Sequence, residues 1–494
     1  SLCLCNGCPC SVCRERKCHF CLRGKDGLSS FSSFRPAQLR SPGADDEKTD
    51  PTATLGRPEV FQADVARASL ELFDGCAGPD GLLDAPGAVR LAGEVLARLG
   101  LDSDVEASRL HDVGTAFWRF DFSEDGRVGR EDAQRLFARL ARRWPKGPAR
   151  EAAAAPTRCD LMSKAGIGQN SLRAVFGLIK ELEGGPRGLY SARVLRSRDD
   201  WRSVRFYSKK FGDLAEPVED LAEERGLVED IVQELAVLKR LQCPELVRLH
   251  SWFQDPDGIY LVSDAHGPNL HELLAAARRE EITEPWAAAV LGQVAGGLGH
   301  LHLHRVLHTD VRESRVVARP GRGEACPRVM LASGGLLAHY GARPRGTPGY
   351  MPAEVWRAGL WAPRGDVFSL GVVLFRMGSL LRSGAEIGAP VSPFGGEPGA
   401  GSGAAVAAEA ERATLRGEPD LRVLGETPLL QDLVGSMLAK DLPERPSLQT
   451  ASRHAWWSVA QEHPRLEQTL LPEPVRSWSR ALGAERLSGG SPKS

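Results

Sequence analysis

A chain of 494 residues with 63 Lys+Arg against 64 Asp+Glu has a formal net charge of -1. That balance excludes a globally basic nucleic-acid binder. Hydrophobic residues make up 42% and charged residues 26%, enough to build buried cores in roughly three domains. The most apolar run, Val367 to Leu381, is broken by Ser369, Gly371 and Arg376, so no transmembrane segment of about 20 residues is expected.

Residues 1–57 read as a Cys-rich leader. Cys3, Cys5, Cys8, Cys10, Cys13, Cys18 and Cys21 fall in its first 21 positions, and the other four of the 11 Cys are scattered. Scattered thiols suit a reduced, cytoplasmic protein. The pairs Cys5/Cys8, Cys10/Cys13 and Cys18/Cys21 have a zinc-chelating spacing, but no loop of about a dozen residues separates them. Acylation beside Arg14, Arg16 and Lys17 is a second reading and would give peripheral membrane contact. A disordered leader is the third. No apolar signal-peptide core is visible, and the first residue is Ser1 rather than Met, as in a fragment or an incomplete gene model. Residues 22–57, rich in Ser, Pro, Gly and Asp, lack apolar periodicity and read as disordered.

Residues 58–145 carry helical periodicity interrupted by two Gly/Asp loops. The second loop, Asp121 to Asp132, reads DFSEDGRVGRED. Asp121, Ser123, Asp125 and Asp132 stand at loop positions 1, 3, 5 and 12, the Arg127 carbonyl at 7, and Gly126 at the sharp turn; this spacing wraps a hard cation in oxygen. Leu110, Val113, Phe117 and Phe120 form a stripe before it, and Leu136, Phe137, Leu140 and Trp144 one after it. The unit resembles an EF-hand, which implies Ca2+ as its cation. Asp132 replaces the usual bidentate Glu and reaches less far, which weakens Ca2+ or favours Mg2+. Gly129 offers no side chain at position 9. The upstream loop, Asp74 to Gly87, reads as a degenerate sister with Leu83 at position 8. It would pair with Val128 through a short strand and bind no metal.

An Ala/Pro/basic linker, 146–172, leads to the long region 173–460, followed by a charged tail, 461–494. The segment Gly346-Thr347-Pro348-Gly349-Tyr350-Met351-Pro352-Ala353-Glu354, the run Asp366-Val367-Phe368-Ser369-Leu370-Gly371, Arg445 in KDLPERPS, and His454 with Trp456 occur in this order. Together they resemble the protein kinases, closest in style to calcium-dependent and calmodulin-dependent Ser/Thr kinases. The resemblance implies an α+β, bilobal protein-kinase-like fold preceded by an all-α EF-hand pair. In that frame Asp366 would anchor the catalytic loop, and Arg445 would pair with Glu354.

The reactive positions implied by the same resemblance are edited. In His308-Thr309-Asp310-Val311-Arg312-Glu313-Ser314-Arg315, Asp310 keeps the position of the catalytic base and Arg312 stands for the loop Lys. Arg315 stands where an Asn should bind magnesium, and a cation cannot ligate a metal. Ser333 is placed at the magnesium Asp, with Ala332 as the alternative register. Arg205 occupies the phosphate-Lys position, and Lys209 lies roughly 13 Å further along the strand. Glu234 fits the ion-pairing Glu of the small-lobe helix and could still meet Arg205. In the Gly-rich loop Gly185 and Gly188 remain, but Glu183 replaces the first Gly. Thr309 replaces an Arg that reads an activation-loop phosphate, and Leu336 to Arg345 holds no Ser or Thr.

The leading expectation is a calcium-responsive pseudokinase. It would act as a signalling scaffold or regulator on protein clients, with Ca2+ bound, ATP bound weakly or not at all, and Mg2+ coordination compromised. An active, divergent Ser/Thr kinase using Asp310 on protein substrates is the alternative. A structural adaptor that binds neither calcium nor nucleotide is the third reading.

Overall fold

The computed structural model describes residues 58–100, 113–143, 176–181, 189–194, 201–208, 235–254, 258–265, 267–276, 282–319, 328–332, 346–382, 391–394 and 404–462. The Cys-rich leader, the 146–172 linker and most of the 461–494 tail lie outside them, as do Gly185, Gly188, Glu234 and Ser333. Among the described residues no helix is long and apolar enough to cross a membrane.

The first part is helical: α1 (Pro58–Cys76), α2 (Ala85–Arg98), α3 (113–120) and α4 (Arg130–Arg143). Helix α2 starts where Asp84 caps it, its side chain accepting the Gly87 N–H at 2.7 Å. That bond satisfies a donor the first turn leaves unpaired. Phe73, Leu91, Val95, Phe117, Leu136 and Phe137 are almost wholly buried in one cluster, so each helix contributes one apolar face. The two loops meet side by side, Leu83 and Val128 exchanging both backbone hydrogen bonds at 2.9 and 2.8 Å. Gly81 and Gly126 take φ values of +74° and +79°, which a side chain would disfavour at these sharp turns.

A five-stranded sheet follows, in the order β1-β2-β3-β5-β4, every neighbour antiparallel. Its strands are β1 (Phe176–Glu181), β2 (Leu189–Val194), β3 (Trp201–Ser208), β4 (Leu249–Gln254) and β5 (Gly258–Asp264). A helical stretch α5 (235–240) precedes β4 and carries buried Leu235 and Leu238.

The helical lobe is built around α7 (Glu284–Leu303) and α9 (Pro363–Arg382). Both are apolar on nearly every side, as helices enclosed by others must be. Around them lie α6 (Leu270–Ala276), α8 (Ala353–Ala358), α10 (Ala404–Arg416), α11 (Pro428–Met437) and α12 (Leu448–Ser452). A β-carbon on Gly371 would come within 2.8 Å of the Met437 β-carbon, so the glycine sets how closely α9 meets α11. Arg376, which interrupts the apolar run, is buried and bonds Glu313 at 2.7 Å. Glu313 also accepts the Tyr350 hydroxyl, leaving this interior charge paired. A two-stranded ribbon, β6 (Val316–Ala318) with β7 (Val329–Leu331), closes the lobe toward the sheet.

Candidate active site

Asp366, in the first turn of α9 and fully buried, organises the loop that follows α7. Its Oδ2 accepts the His308 N–H at 2.8 Å and its Oδ1 the Thr309 N–H at 2.7 Å. The loop needs such anchoring because Thr309 has φ +61°, a left-handed conformation that a β-branched residue rarely adopts. His308 is buried and its pKa is lowered by that burial. Its neutral ring donates from Nε2 to the Ala332 carbonyl at 2.9 Å and accepts the Asp310 N–H on Nδ1 at 3.3 Å.

These contacts deliver Asp310 into a cage. Its Oδ2 is 2.7 Å from Arg315 Nε, and its Oδ1 accepts from Arg312 Nε at 3.1 Å and the Thr347 hydroxyl at 2.6 Å. Burial alone would push the carboxyl pKa up. The two guanidinium groups and the bonds from Thr347 and Arg315 outweigh it and hold the pKa down at about 2. The group is therefore a carboxylate at neutral pH. Arg315 is only 6% exposed, and its Nη1 has no hydrogen-bond partner among the described residues.

The structure brings Asp310, Arg312 and Arg315 together. Arg205 lies in β3 opposite Leu189 of β2 and Leu261 of β5, and its side chain is outside the described residues. Ala332 is fixed on both sides: its N–H bonds the Arg315 carbonyl at 2.7 Å, and its own carbonyl takes His308. The residue held against the 308–315 segment just after β7 is thus an alanine. On the scaffold side, Arg445 grips Glu354 through both nitrogens at 2.7 and 3.1 Å with its own side chain fully buried.

The loop 121–132 gathers four of its five oxygen donors. Ser123 Oγ lies 3.2 Å from Asp121 Oδ1, 2.9 Å from Asp125 Oδ1 and 3.4 Å from the Arg127 carbonyl. Burial, with the Asp125 charge close by, raises the Asp121 pKa to about 6. The fifth donor is diverted: Asp132 Oδ1 takes Arg305 Nε at 2.5 Å. Among the described residues no three acidic, His or Cys side chains converge as a metal cluster. Asp121, Ser123, Asp125 and the Arg127 carbonyl suit a hard cation, and Arg305 competes for the carboxylate of Asp132.

Two participants were silent in sequence. Thr347 belongs to a recognisable segment, but nothing there marks its hydroxyl as a donor to Asp310. His302, on the last turn of α7, sits between Asp366 at 2.9 Å and Glu124 at 3.3 Å. A His near the end of an apolar helix, with His300 and His304 beside it, gives no signal that two carboxylates from distant segments will converge on it.

Residues 215–457 match the family model described as the protein kinase domain. Among curated proteins, the chain is 29% identical over 311 residues to serine/threonine-protein kinase PLK4 of Drosophila ananassae, covering 61% of this chain and 35% of that protein. It is 30% identical over 203 residues to PLK4 of Drosophila sechellia, covering 40% and 24% respectively. The chain thus spans about a quarter to a third of the length of these relatives. A solved structure, Rad53 1-466 in complex with AMP-PNP, aligns with a TM-score of 0.43 at 18% identity, covering 61% of this chain and 68% of that one.

Proposed function

With a protein kinase domain over residues 215–457 as the premise, we propose that the chain is a catalytically crippled member of that fold. It serves as a signalling scaffold or regulator for protein clients, and it carries an EF-hand pair that takes up Ca2+. The observation that carries the reading is the cage around Asp310. A base must be free to receive a substrate proton within hydrogen-bond reach. Here both carboxylate oxygens are engaged by Arg315, Arg312 and Thr347, and a pKa near 2 makes the group a poor proton acceptor. Arg315 also places a cation where the resemblance expects a metal ligand, so Mg2+ would meet repulsion there. Neither Ala332 nor Ser333 supplies a carboxylate.

Each missing preorganised charge removes a few kcal/mol of transition-state stabilisation. Each 1.4 kcal/mol is about tenfold in rate. Replacement of both metal ligands, by Arg315 and Ser333, and of the phosphate Lys, by Arg205, together puts phosphate transfer many orders of magnitude below that of an intact kinase. Any ATP binding is weak and independent of Mg2+. The free thiols of Cys76 and Cys243, the latter pushed by burial to a pKa of about 12, fit a reducing, cytoplasmic setting.

The second reading is an active, divergent Ser/Thr kinase, the activity for which the relatives are named. Its supporting observation is that Asp310 is present and ionised. A transfer assay on a generic protein substrate separates the two. The proposal expects a signal no greater than that of Asp310→Asn. Transfer that depends on both Asp310 and Mg2+ establishes the second reading instead.

A further inference from the structure

The loop 121–132 is seated on the helical lobe. Phe122 packs against the cluster of Leu307, Met351, Val355 and Trp361. Glu124, at a loop position whose side chain does not ligate a cation, is only 7% exposed and has φ +57°. Its Oε2 accepts the Leu448 N–H at the start of α12 at 2.8 Å, and its backbone carbonyl accepts Arg364 Nη2 at 2.5 Å. Its Oε1 lies 3.3 Å from His302 Nδ1, and His302 Nε2 lies 2.9 Å from Asp366 Oδ2. That same oxygen holds the His308 amide. A single imidazole therefore separates the loop from the carboxylate that shapes the segment leading to Asp310.

We propose that Glu124 is a positioning residue for His308–Asp310, and that the helix–loop–helix unit is an intramolecular clamp on the helical lobe. A buried carboxylate in a left-handed backbone conformation is unfavourable on both counts. Here the partners of Glu124 compensate for it. The imidazole, held between two carboxylates, fixes the Asp366 side chain, and Asp366 in turn fixes a loop that contains a strained Thr309. Removing Glu124 leaves the Leu448 amide and one face of His302 without their acceptor. The loosening then passes through His302 to Asp366.

The test is residue-resolved amide hydrogen exchange on the full chain, comparing wild type with Glu124→Ala and Glu124→Gln. Exchange at Leu448, His308 and Thr309 is expected to rise at least tenfold in Glu124→Ala, while the amides of β5 keep their protection. Glu124→Gln is expected to restore protection at Leu448, because its amide oxygen can accept the same bond. Faster exchange at Leu448 with His308 and Thr309 unchanged would reduce Glu124 to a helix cap and overturn the proposal. A uniform rise that includes β5 would do the same, as the mark of general destabilisation. Should Glu124→Ala fail to fold, Phe122→Ala releases the loop from its apolar side. The same local rise at His308 and Thr309 is then expected, and its absence rejects the clamp.

Discussion

Arg315 does two things at once: it occupies a position the resemblance gives to a magnesium ligand, and it neutralises Asp310 at 2.7 Å. With both partners almost fully buried, removing the cation strips Asp310 Oδ2 of its partner and leaves the carboxylate to Arg312 and Thr347 alone. Arg315→Ala is expected to lower unfolding stability by about 3 kcal/mol and to raise the Asp310 pKa, read by urea denaturation and by carboxyl NMR. His302 makes a second prediction at this scale. Burial opposes its charge, but the bonds to Asp366 and Glu124 and their charges lift its pKa from 6.5 to about 9. The folded state therefore binds this proton more tightly than the unfolded chain. The resulting stabilisation is fully present below about pH 6.5 and is lost as pH rises to about 9, on the order of a few kcal/mol. Urea midpoints across that window should fall in wild type and fall less in Glu124→Gln, which removes one of the lifting charges. Sequence made Asp310, Arg312, Arg315 and the Arg445–Glu354 pair legible, because each belongs to an ordered motif with a fixed spacing. It could not show Glu124 and His302 meeting, because they are 178 positions apart and no local pattern records such a contact.

Among the elements, the loop 121–132 is where two demands compete. Asp132 belongs to the cation-binding spacing, yet its carboxylate is held by Arg305, whose own backbone has φ +59°. A cation at this loop would compete with Arg305 for that carboxylate. Under the proposed calcium reading, calorimetry on the full chain should find about one Ca2+ site, abolished by Asp121→Ala. Arg305→Ala should bind Ca2+ about fivefold more tightly, since roughly 1 kcal/mol of competing ion pair is gone. Equal affinity in wild type and Arg305→Ala would show that Asp132 is not recruited. The helices on either side were readable from their apolar stripes, and the contact between the two loops from Leu83 and Val128 at matching positions. The diversion of Asp132 was not readable, because Arg305 lies in a different part of the chain and follows no spacing rule relative to the loop.

For the whole molecule, the proposed function implies that scaffold and chemistry have separated. The buried Asp366 anchor, the Arg445–Glu354 pair and the Arg376–Glu313–Tyr350 network keep the helical lobe in shape. Under the proposed reading, the positions that would handle a magnesium nucleotide carry Arg315 and Ser333, with Ala332 the alternative register for the latter. A fold whose interior charges remain paired while its reactive charges are cancelled is suited to presenting a surface, and the clamp by the helix–loop–helix unit ties that surface to the first part of the chain. The measurement that tests this account most directly is the thermal shift of the full chain with ATP, in the presence and absence of Mg2+. The account predicts that Mg2+ adds nothing to whatever small stabilisation ATP gives, in wild type and in Asp310→Asn alike. A Mg2+-dependent shift corresponding to micromolar ATP affinity would contradict it.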